Sequence, residues 1–262
     1  LGLVGGEFCA EYGGVVVGSY CISLDDFKFM RTLNFMFYGI FSLNFYKWFF
    51  QFVRHSNIPM ADFIAELIKP KDEDEKDTPW KNFIKTFEKA AMDELHSSPE
   101  VLHEHAYKTF TENKNQVSTP SLLNVYYGAQ MICLDNKVIE DALFTTLRKF
   151  VSEKENPEIF KTAKFLIEIC KYEIIKIFKD EKPKPVLTTF DLLKRKKDKF
   201  KQPITNYKTK QCELVFSEKP EFLMKFPEFK KSFSDLDEKS FYFNALQFMV
   251  PRTQLLYDAT LR

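Results

Sequence analysis

The chain has 262 residues, of which 45% are hydrophobic and 29% are charged. This composition excludes a wholly disordered protein, and the length allows one or two domains with a substantial core. The 38 basic and 37 acidic side chains give a net charge of +1, which excludes a global field that would draw the whole chain onto nucleic acid or an anionic surface.

Six of the eight glycines fall within the first eighteen residues. Small side chains recur there at every fourth position, which is the spacing of one face of an α-helix. This ridge consists of Gly2, Gly6, Ala10, Gly14 and Gly18. Because a face without bulky side chains lets a second helix approach closely, the pattern predicts a tightly packed helix in or near a membrane. The alternative interpretation is two turns, at Gly5-Gly6 and Gly13-Gly14.

Charge is scarce in the first 60 residues, which contain only eight charged side chains. Within them, Leu33 to Val53 is an apolar stretch of 21 residues with Lys47 as its sole charge. A helix of that length spans a bilayer, and we predict a transmembrane helix here. Arg31, Lys47 and Arg54 are then its lipid-interface residues. A buried helix of a soluble core is the alternative, because several amide side chains interrupt the stretch.

The same region and the next 50 residues carry a set of short motifs. The motif residues are Glu7, Arg31, Thr32, Gly39, Trp48, Asp93 and Pro99. In their order and spacing, residues 1–100 resemble the Mpv-seventeen family of small mitochondrial and peroxisomal membrane proteins. The Gly-Pro pair and the histidine that this family has before its Trp-Tyr pair are replaced by Ser42-Leu43 and Tyr46. The resemblance implies a helical protein of the mitochondrial inner membrane.

Beyond the charged run Lys69 to Asp77, the sequence predicts further helices. Thr78 is a candidate N-cap with Pro79 in the first turn, and apolar residues then recur every four positions as far as Leu95. Ser121 to Leu134 is too short to span a membrane and predicts a buried or re-entrant helix.

Amphipathic periodicity continues over Val138 to Val151 and Pro157 to Phe178, with charged outer faces. From Thr188 to Lys239 no period is evident, which favours an extended arm over a partner surface. Its phenylalanines are predicted to anchor in a neighbouring subunit. They are Phe190, Phe200, Phe216, Phe222, Phe226, Phe229 and Phe233.

We therefore predict an all-α protein in three parts. Residues 1–135 form a membrane-associated helical region, residues 136–182 form amphipathic helices, and residues 183–262 form the extended arm rich in phenylalanine and lysine.

The strongest local charge patch lies in this arm. It comprises Lys194, Arg195, Lys196, Lys197, Lys199 and Lys201, with Asp191 and Asp198 on either side. Such a run can contact phosphates of lipid or nucleic acid. A contact with lipid, with an acidic protein or with RNA remains open, and a plain solvated surface is the default interpretation.

No group of residues stands out as a catalytic or metal site. His96, Glu100 and His103 have the spacing of one helix face, but Pro99 disfavours an unbroken helix through them. The five cysteines are widely spread, as expected of ordinary buried thiols. We predict that the protein is not an enzyme and that it has no catalytic residues, metal, cofactor or small-molecule substrate.

The sequence therefore predicts a non-catalytic, membrane-embedded accessory or structural subunit of a large mitochondrial inner-membrane complex. The expected partners are other subunits of that complex and phospholipid, and no nucleic acid is expected. One alternative is a small inner-membrane pore or metabolite conduit, which the family resemblance implies. The other is a soluble α-helical scaffold or RNP component, which is compatible with the mean hydropathy of −0.29.

Overall fold

A computed structural model of the chain describes residues 2–4, 7–9, 14, 19–69, 77–112, 123–173, 184–217, 228, 231–232, 235–248 and 258–261. Within these ranges the protein is mostly helical, as predicted, with small antiparallel sheets. The α-helices are α1 (Leu24–Phe37), α2 (Lys47–Arg54), α3 (Met60–Ile68), α4 (Pro79–Asp93), α5 (Pro99–Glu112), α6 (Leu123–Cys133), α7 (Asn136–Phe150), α8 (Pro157–Glu173), α9 (Leu192–Lys197) and α10 (Glu238–Phe248). The strands are β1 (Gly2–Val4), β2 (Glu7–Cys9), β3 (Val186–Phe190), β4 (Lys208–Ser217) and β5 (Asp258–Leu261). A π-helical turn, Tyr38–Ser42, extends α1, and a 3-10 turn, Ile204–Tyr207, precedes β4.

The helices with a clear amphipathic period form where the sequence predicts them. The Thr78 hydroxyl caps α4 by accepting a hydrogen bond from the Lys81 amide (3.2 Å), and Pro79 occupies the first turn. Helix α6 is largely buried, and α7 and α8 match the two amphipathic segments. Local caps and side-chain periodicity are therefore sufficient to locate these elements.

Aromatic side chains dominate the core between α1, α4 and α6. The Phe35 ring stacks on Phe87 with centroids 4.3 Å apart, and Tyr127 meets Phe87 edge-on at 5.2 Å. The Trp80 indole nitrogen donates to the Leu67 carbonyl oxygen (3.0 Å), so the indole is buried with its polar group satisfied. One continuous apolar core extends from these helices to the C-terminal sheet and α10.

The N-terminal glycine segment is a β-hairpin where it is described. β1 pairs antiparallel with β2, with Gly2 opposite Cys9. The prediction of a helix ridge is wrong there, because side chains of a strand alternate and do not align every four residues. Gly6, Ala10 and Gly18 lie outside the described residues. A Cβ added to Gly14 would meet no atom of the described residues within 4 Å, so these residues show no close helix approach at Gly14.

The apolar stretch Leu33 to Val53 is not one helix. After the π-helical turn, the Leu43 amide bonds to the Tyr38 carbonyl (3.1 Å), and Asn44 and Tyr46 adopt left-handed conformations with φ of 55° and 50°. The backbone therefore changes direction before α2 begins, and the predicted 21-residue span is wrong. Within the described ranges, no helix combines the length and the apolar composition that crossing a membrane requires.

The described parts of the C-terminal region, residues 184–217, 235–248 and 258–261, belong to the fold rather than to an extended arm. β3, β4 and β5 form an antiparallel sheet in that order, and α10 packs against α6. The all-α prediction is wrong on this point. Phe200 and Phe216 are buried in the common core. The Phe190 ring lies against Phe165 of α8, with ring centroids 6.0 Å apart. The other phenylalanines proposed as anchors, Phe222, Phe226, Phe229 and Phe233, lie outside the described residues.

Gly128 brings α6 into close contact with the π-helical turn and its neighbour Leu43. A Cβ at this position would lie 2.9 Å from Leu43 Cδ1 and 3.2 Å from Tyr38 Cε1. We expect Gly128→Val to lower the free energy of unfolding by about 1–3 kcal/mol, because a packed interior resists added volume. Urea unfolding followed by circular dichroism measures the change. Gly14→Val is the matched control and should cost less than about 0.5 kcal/mol; an equal loss in both variants would contradict this packing.

Candidate anion-binding site

A cavity of about 340 Å³ lies between the α1–α2 connection and the end of α9. Its walls combine apolar rings and chains with amides and three lysines. The lining residues are Ile40, Phe41, Asn44, Lys47, Phe50, Gln51, Lys196, Lys199 and Phe200. We call this cavity the basic pocket, because the charged residues among its described lining residues are all lysines.

One wall of the basic pocket is formed by Lys196 of α9 and by Lys199 and Phe200, which follow the helix. The Asp191 carboxylate caps α9 by accepting from the Lys194 amide (2.8 Å). At the other end, the Phe200 amide donates to the Arg195 carbonyl (3.0 Å). The Phe200 carbonyl accepts from His55 Nε2 (2.7 Å), which ties this wall to the end of α2.

Unusual backbone conformations are concentrated around the basic pocket. Asn44, Lys199 and Phe200 all line it and all have left-handed φ values, between 53° and 57°. Tyr46, at φ 50°, immediately precedes Lys47. The π-helical turn contributes Ile40 and Phe41. Left-handed residues other than glycine cost free energy and gather at functional sites, as do π-helical turns.

Arg195 lies immediately behind the pocket wall and is fully buried, with 0% of its surface exposed. Its Nη2 donates to the Gln51 carbonyl (3.3 Å), and its Nε approaches the Gln202 carbonyl (3.5 Å). Nη1 finds no acceptor among the described residues. Burial lowers the pKa of Arg195 to about 10, so the guanidinium stays charged at neutral pH. The described residues offer it no ion pair, which leaves a buried positive charge without a carboxylate.

The positive charges converge on the Phe200 ring. The Arg195 guanidinium carbon and Lys47 Nζ each lie 5.3 Å from its centroid. Lys196 and Lys199 are exposed at the pocket mouth. The nearby Asp198 accepts from the Tyr207 hydroxyl (3.0 Å) and does not line the pocket. Since field lines concentrate in a cleft with low-dielectric walls, this arrangement attracts anions.

Only one of the three predicted lipid-interface residues reaches the basic pocket. Lys47 lines it. Arg31 instead forms an ion pair with Glu94 at the end of α4 (2.9 Å). Arg54 is exposed in the last turn of α2.

The motif residues of the N-terminal half occupy structural positions. Thr32 is buried, and its hydroxyl donates to the Lys28 carbonyl (3.0 Å). Gly39 is buried in the π-helical turn, where a Cβ would lie 2.7 Å from Met131 Cε. Trp48 packs edge-on against Phe200 with centroids 5.0 Å apart. Of these residues, Trp48 supports the wall of the basic pocket through its contact with Phe200.

The remaining motif residues lie away from the pocket. The ion pair between Arg31 and Glu94 places the motif residues Arg31 and Thr32 near Asp93, which is exposed. Pro99 begins α5, and Glu7 lies in β2.

Sequence reasoning identified the basic run but missed that Arg195 is buried. A local signal existed, because Arg195 follows the fully buried Leu192 by three residues and so lies on the same helix face. Nothing in the sequence marks Phe41, Asn44 and Gln51 as pocket residues. The fold brings them next to residues 196–200, which are distant in the chain.

Other candidate sites are less suited to binding. His96 and His105 have ring centroids 4.8 Å apart, yet no group of histidine, cysteine, aspartate and glutamate in the described part of the chain has the geometry to hold a metal ion. A larger cavity of about 580 Å³ lies between α3, α4 and α7. Four of its lining charges form ion pairs, Glu66 with Lys149 (2.6 Å) and Asp141 with Lys137 (2.8 Å).

Comparisons of the chain with protein-family models, with curated proteins and with solved structures find no match. The resemblance to the Mpv-seventeen family therefore stays a prediction from the sequence. Function is argued below from the site itself.

Replacing Arg195 tests whether its buried charge lowers the free energy of unfolding. We expect Arg195→Met to leave the free energy of unfolding within about 1 kcal/mol of the wild type or to raise it, because an apolar chain replaces an unpaired buried charge. Chemical unfolding at neutral pH measures this. A loss of about 3 kcal/mol or more would instead make Arg195 a structural tie.

Proposed function

We propose that the protein is a non-catalytic accessory protein whose basic pocket binds a phosphate group. The observation that carries this proposal is the buried guanidinium of Arg195, which has no carboxylate partner among the described residues. It lies behind a pocket whose charged lining residues, in the described part of the chain, are three lysines. Such an arrangement is costly in an isolated protein, and an anion in the pocket offsets that cost.

The chemistry of the pocket favours phosphate over a carboxylate. Lys47, Lys196 and Lys199 supply ammonium donors from two separate elements, and the Asn44 side chain adds an amide donor. A phosphate offers three oxygens and up to two negative charges, so it can engage several of these donors at once. Ile40 and Phe50 add apolar wall. A phosphate ester with an apolar substituent therefore fits better than a bare ion.

A binding role suits the lining residues better than catalysis does. The described residues that line the pocket carry no hydroxyl, thiol, imidazole or carboxylate group. Of the groups that nucleophilic and general acid–base catalysis commonly use, they supply lysine amines alone. The proposal therefore keeps the expectation of a protein that acts through contacts rather than chemistry.

The cellular setting of this role rests on the sequence alone. We also propose that the protein is an accessory subunit of a mitochondrial inner-membrane complex. The support for this is the motif resemblance over residues 1–100. The phosphate-binding role is independent of that setting and is tested separately.

Phosphate binding is tested by NMR titration of the protein with inorganic phosphate and with phenyl phosphate. We expect both to shift pocket resonances, and phenyl phosphate to bind more tightly because its ring contacts the apolar wall. The double variant Lys196→Gln/Lys199→Gln should bind about tenfold more weakly, since two charged donors are lost.

The matched control is Lys194→Gln/Lys197→Gln, which removes the same charge from the same basic run at residues that do not line the pocket. Its affinity should stay close to that of the wild type. Equal losses in the two double variants would mean that only net charge matters. That outcome, or no binding by the wild type, would refute the proposal.

A further inference from the structure

An exposed apolar stripe runs along α1 to the edge of the basic pocket. We define the α1 stripe as Met30, Leu33, Phe37 and Phe41, which follow one another at intervals of three or four residues. Met30, Phe37 and Phe41 are 44%, 37% and 58% exposed, and Leu33 is half-buried. The Phe37 and Phe41 rings lie 5.8 Å apart. Exposed contiguous apolar side chains of this size mark interaction surfaces.

The α1 stripe and the basic pocket are continuous, because Phe41 belongs to both. The lysines of the pocket therefore adjoin the exposed apolar side chains of the α1 stripe. A ligand that uses both parts must carry a phosphate group next to an apolar chain. Resting on the proposed phosphate-binding function, we infer that the basic pocket binds the phosphate of an anionic phospholipid at a membrane surface, with the α1 stripe against the acyl chains.

The side chains of the α1 stripe favour a lipid over a phosphorylated protein. All four lack a hydrogen-bonding group, whereas a bound peptide needs partners for its backbone amides and carbonyls. Aromatic and aliphatic side chains beside lysines are the usual composition of a surface that rests at the membrane interface. The lysines complement the negative surface potential of anionic lipid.

The acidic residues near the α1 stripe do not oppose this orientation strongly. Asp26 is part of the N-terminal cap of α1, where its carboxylate accepts from the Ser23 amide (2.8 Å). Asp25 forms an ion pair with Lys28 (2.9 Å). Glu94 is paired with Arg31. The positive groups of the pocket therefore dominate the end of the stripe that carries Phe41.

Vesicle flotation tests the inference. Wild-type protein should float with vesicles of phosphatidylcholine containing phosphatidic acid and should not float with phosphatidylcholine alone. Met30→Ser/Phe37→Ser should reduce the bound fraction about tenfold, because two apolar contacts with the acyl region are lost. Neither residue lines the pocket, so this variant should keep its NMR affinity for inorganic phosphate.

The matched control is Val101→Ser/Leu187→Ser, which removes two exposed apolar side chains from α5 and β3. It should float like the wild type. Flotation that is equal in the two double variants would overturn the inference.

The two proposals fail in different ways. Binding of inorganic phosphate without flotation would overturn the phospholipid inference and leave the phosphate-binding function standing, with a soluble ester or a phosphoprotein as the ligand. An absence of both would overturn both. Flotation that survives Lys196→Gln/Lys199→Gln would overturn the role of the basic pocket in lipid recognition.

Discussion

The contacts between the segment Arg195 to Phe200 and α2 position the walls of the basic pocket. The Arg195 guanidinium reaches the backbone of Gln51, 144 residues away in the chain, and the nearby Phe200 carbonyl accepts from His55 across 145 residues. Trp48 packs on the same Phe200 ring. Because these contacts converge within a few residues of each other, they fix the position of Lys47 of α2 relative to Lys196 and Lys199.

The buried charge of Arg195 favours anion binding but lowers the stability of the fold. Among the described residues the Arg195 guanidinium has no carboxylate partner, so its burial costs desolvation free energy, which the face of the Phe200 ring offsets only in part. The described lining residues of the pocket likewise include no carboxylate, so their summed charge is positive. Binding sites commonly retain such unfavourable features, because substitutions that stabilise the fold would remove the interaction with the ligand.

The sequence identified the elements that depend on local signals and failed where tertiary contacts decide. The Thr78 cap and the period-four apolar residues located α4 correctly. The segment Leu33 to Val53 looks the same to hydropathy whether it spans a membrane or lies in a core, and its break depends on left-handed Tyr46, a buried residue for which that conformation is unfavourable. Likewise, the basic run was visible, but the burial of Arg195 follows from packing against Gln51 and Phe200.

Contacts at the start, middle and end of helix α1 stabilise it. Ser23 and Asp26 form a reciprocal capping box at its start, and Arg31 ties its middle to α4. Its last turn continues into the π-helical turn, which packs beside Gly128 of α6. The exposed face of α1 is therefore presented by a backbone that is already ordered. Contact with an apolar partner requires no folding of the helix, so little conformational entropy is lost and the surface is preorganised for association.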